Sequence, residues 1–340
     1  ANLPAQATNT KQLEQKIGSV MLDTLLPFKR HFLSRNGNKL HYINEGQGEP
    51  VVMVHGNPSW SFYYRNLVSA LKDTHQCIVP DHIGCGLSDK PDDSGYDYTL
   101  KNRIDDLEAL LDSLKVKENI TLVVHDWGGM IGMGYAARYP ERIKRLVILN
   151  TGAFHLPETK PLPLALWICR NTLLGTVLVR GFNAFSSIAS YVGVKRQPMS
   201  KYIRAAYVAP FNSWANRIST LRFVQDIPLK PGDRNYQLVS DIAASLPKFA
   251  KVPTLICWGL QDFVFDKHFL AKWREHMPHA KVHEFADCGH YILEDASDEV
   301  ITHIKHFMAE AQTPESEVQP VETVQVTEPE AETQAPQAAH

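Results

Sequence analysis

The stretch Val123-Val124-His125-Asp126-Trp127-Gly128-Gly129 constrains this chain more than any other. An apolar run, Ile120 to Val124, enters it, and a helix-compatible run, Gly129 to Ala137, leaves it. Strand, sharp turn and helix in that order frame a nucleophile elbow. The usual elbow carries Ser between two glycines; here Asp126 stands where the Ser would be. A carboxylate is already ionised at neutral pH. It needs no base to activate it, and it can attack an electrophilic carbon directly to form a covalent intermediate. The competing reading is a plain helix N-cap, a frequent use of Asp at a strand end. Gly128 and Gly129 let helix and strand approach closely, and Trp127 is awkward beside a plain cap, so the elbow is the stronger reading.

Around this turn, strand and helix alternate. His31 to Ser34 and Lys39 to Asn44 flank Asn36-Gly37, a hairpin signal. Val51 to His55, Cys77 to Asp81, Ile120 to His125, Arg145 to Asn150, Thr254 to Trp258 and Lys281 to Phe285 read as short apolar strands. Helical patterns at Leu100 to Leu114 and Phe269 to Met277 separate some of them. Near-continuous apolar strands alternating with helices imply an α/β fold, its sheet mostly parallel and covered on both faces. Between Thr151 and about Pro247 the alternation stops and the pattern turns helical. Inserted after the sixth strand, this segment is expected to form a helical cap over the strand ends, where open parallel sheets bind ligands. The expected organisation is an extension at 1–26, a core at 27–150 and 248–311, a cap at 151–247 and an acidic tail at 312–340.

The ends read differently. Lys11 to Leu26 is loosely amphipathic, as a surface helix or a partner-docking helix would be. The tail holds six Glu and no Lys or Arg; without them the formal charge moves from −2 to +4. Rich in Pro, Gln and Thr, it lacks the apolar clusters that offset ordering entropy, so disorder is expected. No basic stripe points to nucleic acid. Five cysteines, Cys77, Cys85, Cys169, Cys257 and Cys288, form no CxxC pair, which suggests neither zinc nor a disulfide framework. Reduced thiols fit a cytoplasmic location. No apolar run has the length of a membrane span, and no h-region marks a signal peptide.

The remaining chemistry gathers in loops after strands. His55-Gly56-Asn57-Pro58 follows the third strand, where such folds supply one N–H of an oxyanion hole; the residue after the nucleophile supplies the second. Those residues are Asn57 and Trp127, and both also carry side-chain donors able to hold a departing anion. The lesser reading of Asn57-Pro58 is an ordinary turn. Cys288-Gly289-His290-Tyr291 follows the last strand, which places His290 within reach of the elbow as an acid/base group. Asp262, just past the preceding strand, is expected to orient His290. The order Asp126, Asp262, His290 is nucleophile, acid, histidine. Asp266 reads instead as an N-cap, His125 as a structural residue beneath the elbow, and the loop Asp81 to Ser88 as a scaffold turn.

These residues together resemble an α/β-hydrolase of the haloalkane dehalogenase and epoxide hydrolase superfamily. The elbow, the HGNP loop and the Asp–Asp–His order all match. Some relatives place the acid after the sixth strand; this chain has Asn150-Thr151 there, with no carboxylate. Over roughly Leu26 to Met308, including Pro80 to Asp93, Asn183 to Ser187, Trp214 to Pro228 and Trp258 to Leu270, the chain is most similar to the class III dehalogenase branch. Within that branch it resembles the β-lactone decarboxylases of bacterial long-chain olefin biosynthesis. The resemblance implies conversion of a cis-3,4-dialkyl β-lactone to a cis-alkene and carbon dioxide. It gives Asp126 the role of nucleophile, His290 and Asp262 that of acid/base pair, and Asn57 and Trp127 that of anion holders. Attack on the lactone carbonyl and on the ring sp3 carbon both stay open. The resemblance implies no metal or organic cofactor. It does imply an apolar small-molecule substrate and assembly with the pathway's β-lactone synthetase and reductase, with a membrane-peripheral position through those partners; whether the chain is a homo-oligomer stays open, since the sequence does not give the oligomeric state.

Three rivals share these residues. A haloalkane dehalogenase would use Asp126 to displace halide and His290 to activate water. An epoxide hydrolase would need two cap tyrosines, for which Tyr191, Tyr202, Tyr207 and Tyr236 are candidates. A non-catalytic receptor on the same fold has no need of a complete Asp–Asp–His set. Leu162, Leu164, Leu166, Trp167, Leu173, Leu174, Val177, Leu178 and Phe182 recur at helical spacings in the cap. Most are expected to pack cap against core, and the remainder to roof a site for long alkyl groups.

Overall fold

Asn36 and Gly37 take positive φ, 50° and 82°, as a tight hairpin turn between right-twisted strands demands. They join β1 (His31–Arg35) to β2 (Asn38–Glu45) as an antiparallel pair. The computed structural model of the chain describes residues 21–310. The expected acidic tail and residues 1–20 of the extension lie outside the described residues. What is described of the extension meets the core: Leu26 is buried, and Leu22 and Leu25 pack against the same cluster.

The other strands are β3 (Pro50–Val54), β4 (Gln76–Pro80), β5 (Ile120–Asp126), β6 (Ile143–Thr151), β7 (Thr254–Gly259) and β8 (Lys281–Phe285). The sheet order is β1-β2-β4-β3-β5-β6-β7-β8. β2 runs antiparallel to both of its neighbours, and every other pairing is parallel. β5 lies at the middle of the parallel part, and all seven of its residues are buried. Its side chains alternate between two apolar layers. Leu122 and Val124 join one with the helices Leu100–Ser113, Trp127–Arg138 and Lys267–His276. Val123 joins the other with Arg65–Leu71 and Ser297–Glu310.

Between β6 and β7 the chain forms no strand. It runs through the helices Leu164–Asn171, Ala184–Val192, Lys201–Val208, Ile218–Gln225 and Tyr236–Ser245. Each loop that carries a candidate site residue leaves the carboxyl end of a parallel strand: Asn57 after β3, Trp127 after β5, Asp262 after β7, His290 after β8. Among the described residues, no single helix is long and apolar enough to cross a membrane.

Candidate active site

Asp126 ends β5 at φ 52° and ψ −129°. L side chains rarely hold that conformation, which costs on the order of 1–3 kcal/mol and persists where surrounding packing imposes it. The residue precedes the helix Trp127–Arg138, yet its side chain makes no capping bond to it. The carboxylate is turned toward the HGNP loop. The Asn57 backbone N–H donates to Oδ1 at 2.6 Å, and the Trp127 backbone N–H also bonds the carboxylate. The Thr151 hydroxyl donates to the Asp126 carbonyl. The turn tolerates only glycine at two neighbours. A Cβ at Gly56 would overlap the Asp126 side chain, and one at Gly128 would overlap the Val54 carbonyl. Gly128→Ala is therefore expected to destabilise the fold by about 1–3 kcal/mol through overpacking. A thermal melt reads this directly; an unchanged midpoint would show that strand and helix have slack.

His290 and Asp262 meet Asp126 as the sequence suggests. His290 Nδ1 lies 2.7 Å from Asp262 Oδ2, and His290 Nε2 lies 3.5 Å from Asp126 Oδ2. All three side chains are buried. Two further residues hold the pair, and the sequence reading missed the role of one of them. Asn150, where some relatives carry the acid, donates to Asp262 Oδ2 at 3.2 Å and to the Gly259 carbonyl at 2.9 Å. It accepts from the Gly259 N–H at 2.8 Å. His125 lies beneath the elbow, its Nε2 2.8 Å from the His290 carbonyl. An acceptor there requires the proton on Nε2. Burial, then the neighbouring His290, holds the His125 pKa well below the usual histidine value, so this imidazole is neutral. Asp266 accepts from the His268 N–H at 2.9 Å, the helix cap expected of it.

The loop Asp81 to Ser88 also does more than turn the chain. Buried Asp81 accepts from the Ser61 N–H at 2.6 Å and the Leu87 N–H at 2.9 Å, and its Oδ2 lies 2.7 Å from His41 Nδ1. His55 Nε2 accepts from the His82 N–H at 3.2 Å. This polar cluster fixes the base of the HGNP loop from behind. Asp-x-x-Gly-x-Gly after a strand was the available signal.

Burial raises the Asp126 pKa above the ordinary carboxylate value, opposed by His290 and the two backbone N–H groups. Burial alone would lower the His290 pKa. The Asp262 carboxylate, by charge and hydrogen bond, and then Asp126, outweigh it and raise the His290 pKa above its usual value. The two acidic neighbours thus favour the protonated form of His290 more than water does.

Asp126, His290, Asn57 and Trp127 open on a cavity of about 600 Å³ with almost wholly apolar walls. The helical segment supplies Leu162, Leu166 and Leu178 to that wall. The expectation that the remaining cap residues pack inward is corrected. Leu164, Trp167, Leu173, Leu174, Val177 and Phe182 are exposed, because the lining face of these helices is built instead from Ile168, Cys169, Phe185 and Ala189. Tyr191, Tyr202, Tyr207 and Tyr236 are absent from the cavity wall. Tyr207 is buried elsewhere and bonds Glu294 at 2.5 Å. One Asn57 amide hydrogen is engaged, donating to the Thr220 carbonyl at 3.1 Å. Among the described residues no acceptor holds the Trp127 indole N–H.

Residues 49–297 match the family model described as alpha/beta hydrolase fold. The chain belongs to the α/β-hydrolase fold family. Within the α/β-hydrolases it is 93% identical over 318 residues, 94% of this chain and 99% of the relative, to a cis-3-alkyl-4-alkyloxetan-2-one decarboxylase of Shewanella oneidensis. A second protein of that name, from Xanthomonas campestris, is 52% identical over 81% of this chain and 93% of its own length. A haloalkane dehalogenase of Mycolicibacterium paratuberculosis is 30% identical over 82% of this chain and 92% of its own length. Among solved α/β-hydrolase structures, haloalkane dehalogenase DbeA from Bradyrhizobium elkani superposes with a TM-score of 0.74 at 26% identity, covering 84% of this chain and 98% of that one.

Proposed function

We propose that this chain is a β-lactone decarboxylase that converts cis-3-alkyl-4-alkyloxetan-2-ones to cis-alkenes and carbon dioxide. The observation that carries this is 93% identity over 94% of the chain to a relative of that name, against 30% for the dehalogenase. The apolar cavity of about 600 Å³ at Asp126 suits alkyl groups. The helical segment 151–247 acts as the cap of a core at 27–150 and 248–311.

In the mechanism we favour, Asp126 Oδ2 attacks the oxygen-bearing ring carbon. A bond forms between Oδ2 and that carbon, the ring C–O bond breaks, and the freed oxygen becomes part of a carboxylate on the neighbouring carbon. Oδ1 becomes the ester carbonyl and keeps its bond from Asn57. The new carboxylate then leaves as carbon dioxide. Its C–C electron pair forms the double bond, the bond to Oδ2 breaks, and Asp126 is regenerated. Inversion in the first step and anti departure in the second carry a cis lactone to a cis alkene. No water is consumed. The His290 imidazolium, 3.5 Å from Oδ2, stabilises negative charge as it returns to Asp126. The Trp127 indole N–H is free to hold the departing carboxylate.

Two measurements test this. A synthetic cis-β-lactone and a bromoalkane, offered side by side, should give alkene from the first and little halide from the second. Halide release with no alkene would leave the dehalogenase standing. A turnover in heavy-oxygen water should leave the Asp126 peptide unlabelled. A hydrolytic ester cleavage would place solvent oxygen on it and exclude the fragmentation. The resemblance also supports a cytoplasmic enzyme assembled with a β-lactone synthetase and a reductase, since a strained, insoluble lactone is best passed on at short range.

A further inference from the structure

Six apolar side chains of the cap face solvent: Leu164, Trp167, Leu173, Leu174, Val177 and Phe182. Leu173 is 86% exposed and Phe182 74%. They fall on elements that follow and pack on one another, Leu164–Asn171, Leu173–Thr176 and Val177–Gly181, and on the residue just beyond. Apolar residues scattered singly on a surface need no explanation; a run of this kind does. Leu173–Gly181 and Ala184–Val192 are together as apolar as a membrane segment, but bent by 73°. That bend suits a surface-lying element rather than a straight span.

The helix Ala184–Val192 packs on both Val177–Gly181 and Lys201–Val208, and these neighbouring elements carry cations. The Arg180 guanidinium lies 4.8 Å from the centre of the Trp214 ring, and that of Arg204 4.5 Å from Tyr191. Lys201 Nζ lies 5.1 Å from Tyr202. All three aromatic residues are exposed. Among the described residues, no carboxylate pairs with Arg180, Lys201 or Arg204. Arg180 and Arg204 donate to the carbonyls of Trp214 and Met199. From Thr151 to Pro247 there are eleven Lys and Arg against four Asp and Glu. Exposed apolar residues bordered by Trp, Tyr and unpaired cations are the composition of a membrane–water interface. The face also adjoins the cavity: Ala165 and Ile188 are exposed and line it as well.

We propose that this face of the cap docks directly on an anionic lipid surface. Its apolar side chains enter the acyl boundary, and Arg180, Lys201 and Arg204 stand at headgroup level. The charge selects the occupant: a second copy would bring like cations together. An apolar substrate dissolved in the lipid then meets the cavity mouth without crossing water. The docking stands apart from which bond the enzyme breaks.

Flotation of the full chain with vesicles tests it. Binding to phosphatidylglycerol-containing vesicles at low salt should exceed binding to pure phosphatidylcholine by about tenfold or more. The triple variant Leu173→Glu, Leu174→Glu, Phe182→Glu should keep the wild-type melting temperature and lose binding by about tenfold or more. The pair Lys201→Glu and Arg204→Glu should remove the preference for the anionic vesicle. No flotation of the wild type, or equal flotation of the triple variant, would overturn the proposal. Flotation only of a chain ending at Ala311 would overturn it in favour of the acidic tail as occupant.

Discussion

Asp126→Ala is expected to fold and to lose turnover by roughly ten-thousandfold or more, because no neighbouring group can replace the nucleophile. The fold is expected to survive because the loss of the Asn57 N–H bond to Oδ1 is offset by the removal of a buried carboxylate whose pKa burial has raised. Single-turnover alkene formation, with a melting curve as control, measures this. A folded variant that retained more than about a hundredth of wild-type activity would exclude covalent catalysis by Asp126.

His290→Ala is expected to slow turnover by about a hundred- to ten-thousandfold and to leave an ester on Asp126. In the proposed mechanism the second step returns a full negative charge to Oδ2, and protonated His290 is the cation beside it. Intact-mass spectrometry after substrate addition should show the chain carrying one whole lactone; retained activity with no adduct would remove the role. The pH profile carries the sign. Asp126 acts ionised and its pKa is raised, so kcat/KM falls as pH drops through that raised value. In the proposed second step His290 acts protonated and its pKa is raised, so kcat falls as pH rises through it. A general-base histidine would give the opposite alkaline limb, with activity rising through the same pKa. The stability His290 contributes through its carboxylate partners is likewise present below its unfolded pKa and lost as pH climbs through the raised folded value.

The elbow was legible because strand, turn and helix are local, and Gly128 records a close approach that no Cβ permits. The hairpin at Asn36-Gly37 was legible for the same reason. Asn150 was not. It meets Asp262 only because β6 and β7 are sheet neighbours, a pairing between residues 112 positions apart. The Asp81 cluster likewise joins β2, β3 and β4 loops that sequence order separates. The cap was half legible. Helical spacing marks an apolar stripe, but only packing decides which stripe faces inward, and residues such as Leu173 and Phe182 face outward.

The two oxygens of Asp126 live in different surroundings. Oδ1 is tied at 2.6 Å by Asn57, while Oδ2 faces His290. A carboxylate pinned this way cannot turn about its last torsion without first breaking a buried hydrogen bond. The two atoms, interchangeable in free aspartate, thus become a fixed handle and a reactive tip. In the proposed cycle the same oxygen makes and breaks the bond to carbon, and an isotope placed on one of them is expected not to migrate to the other.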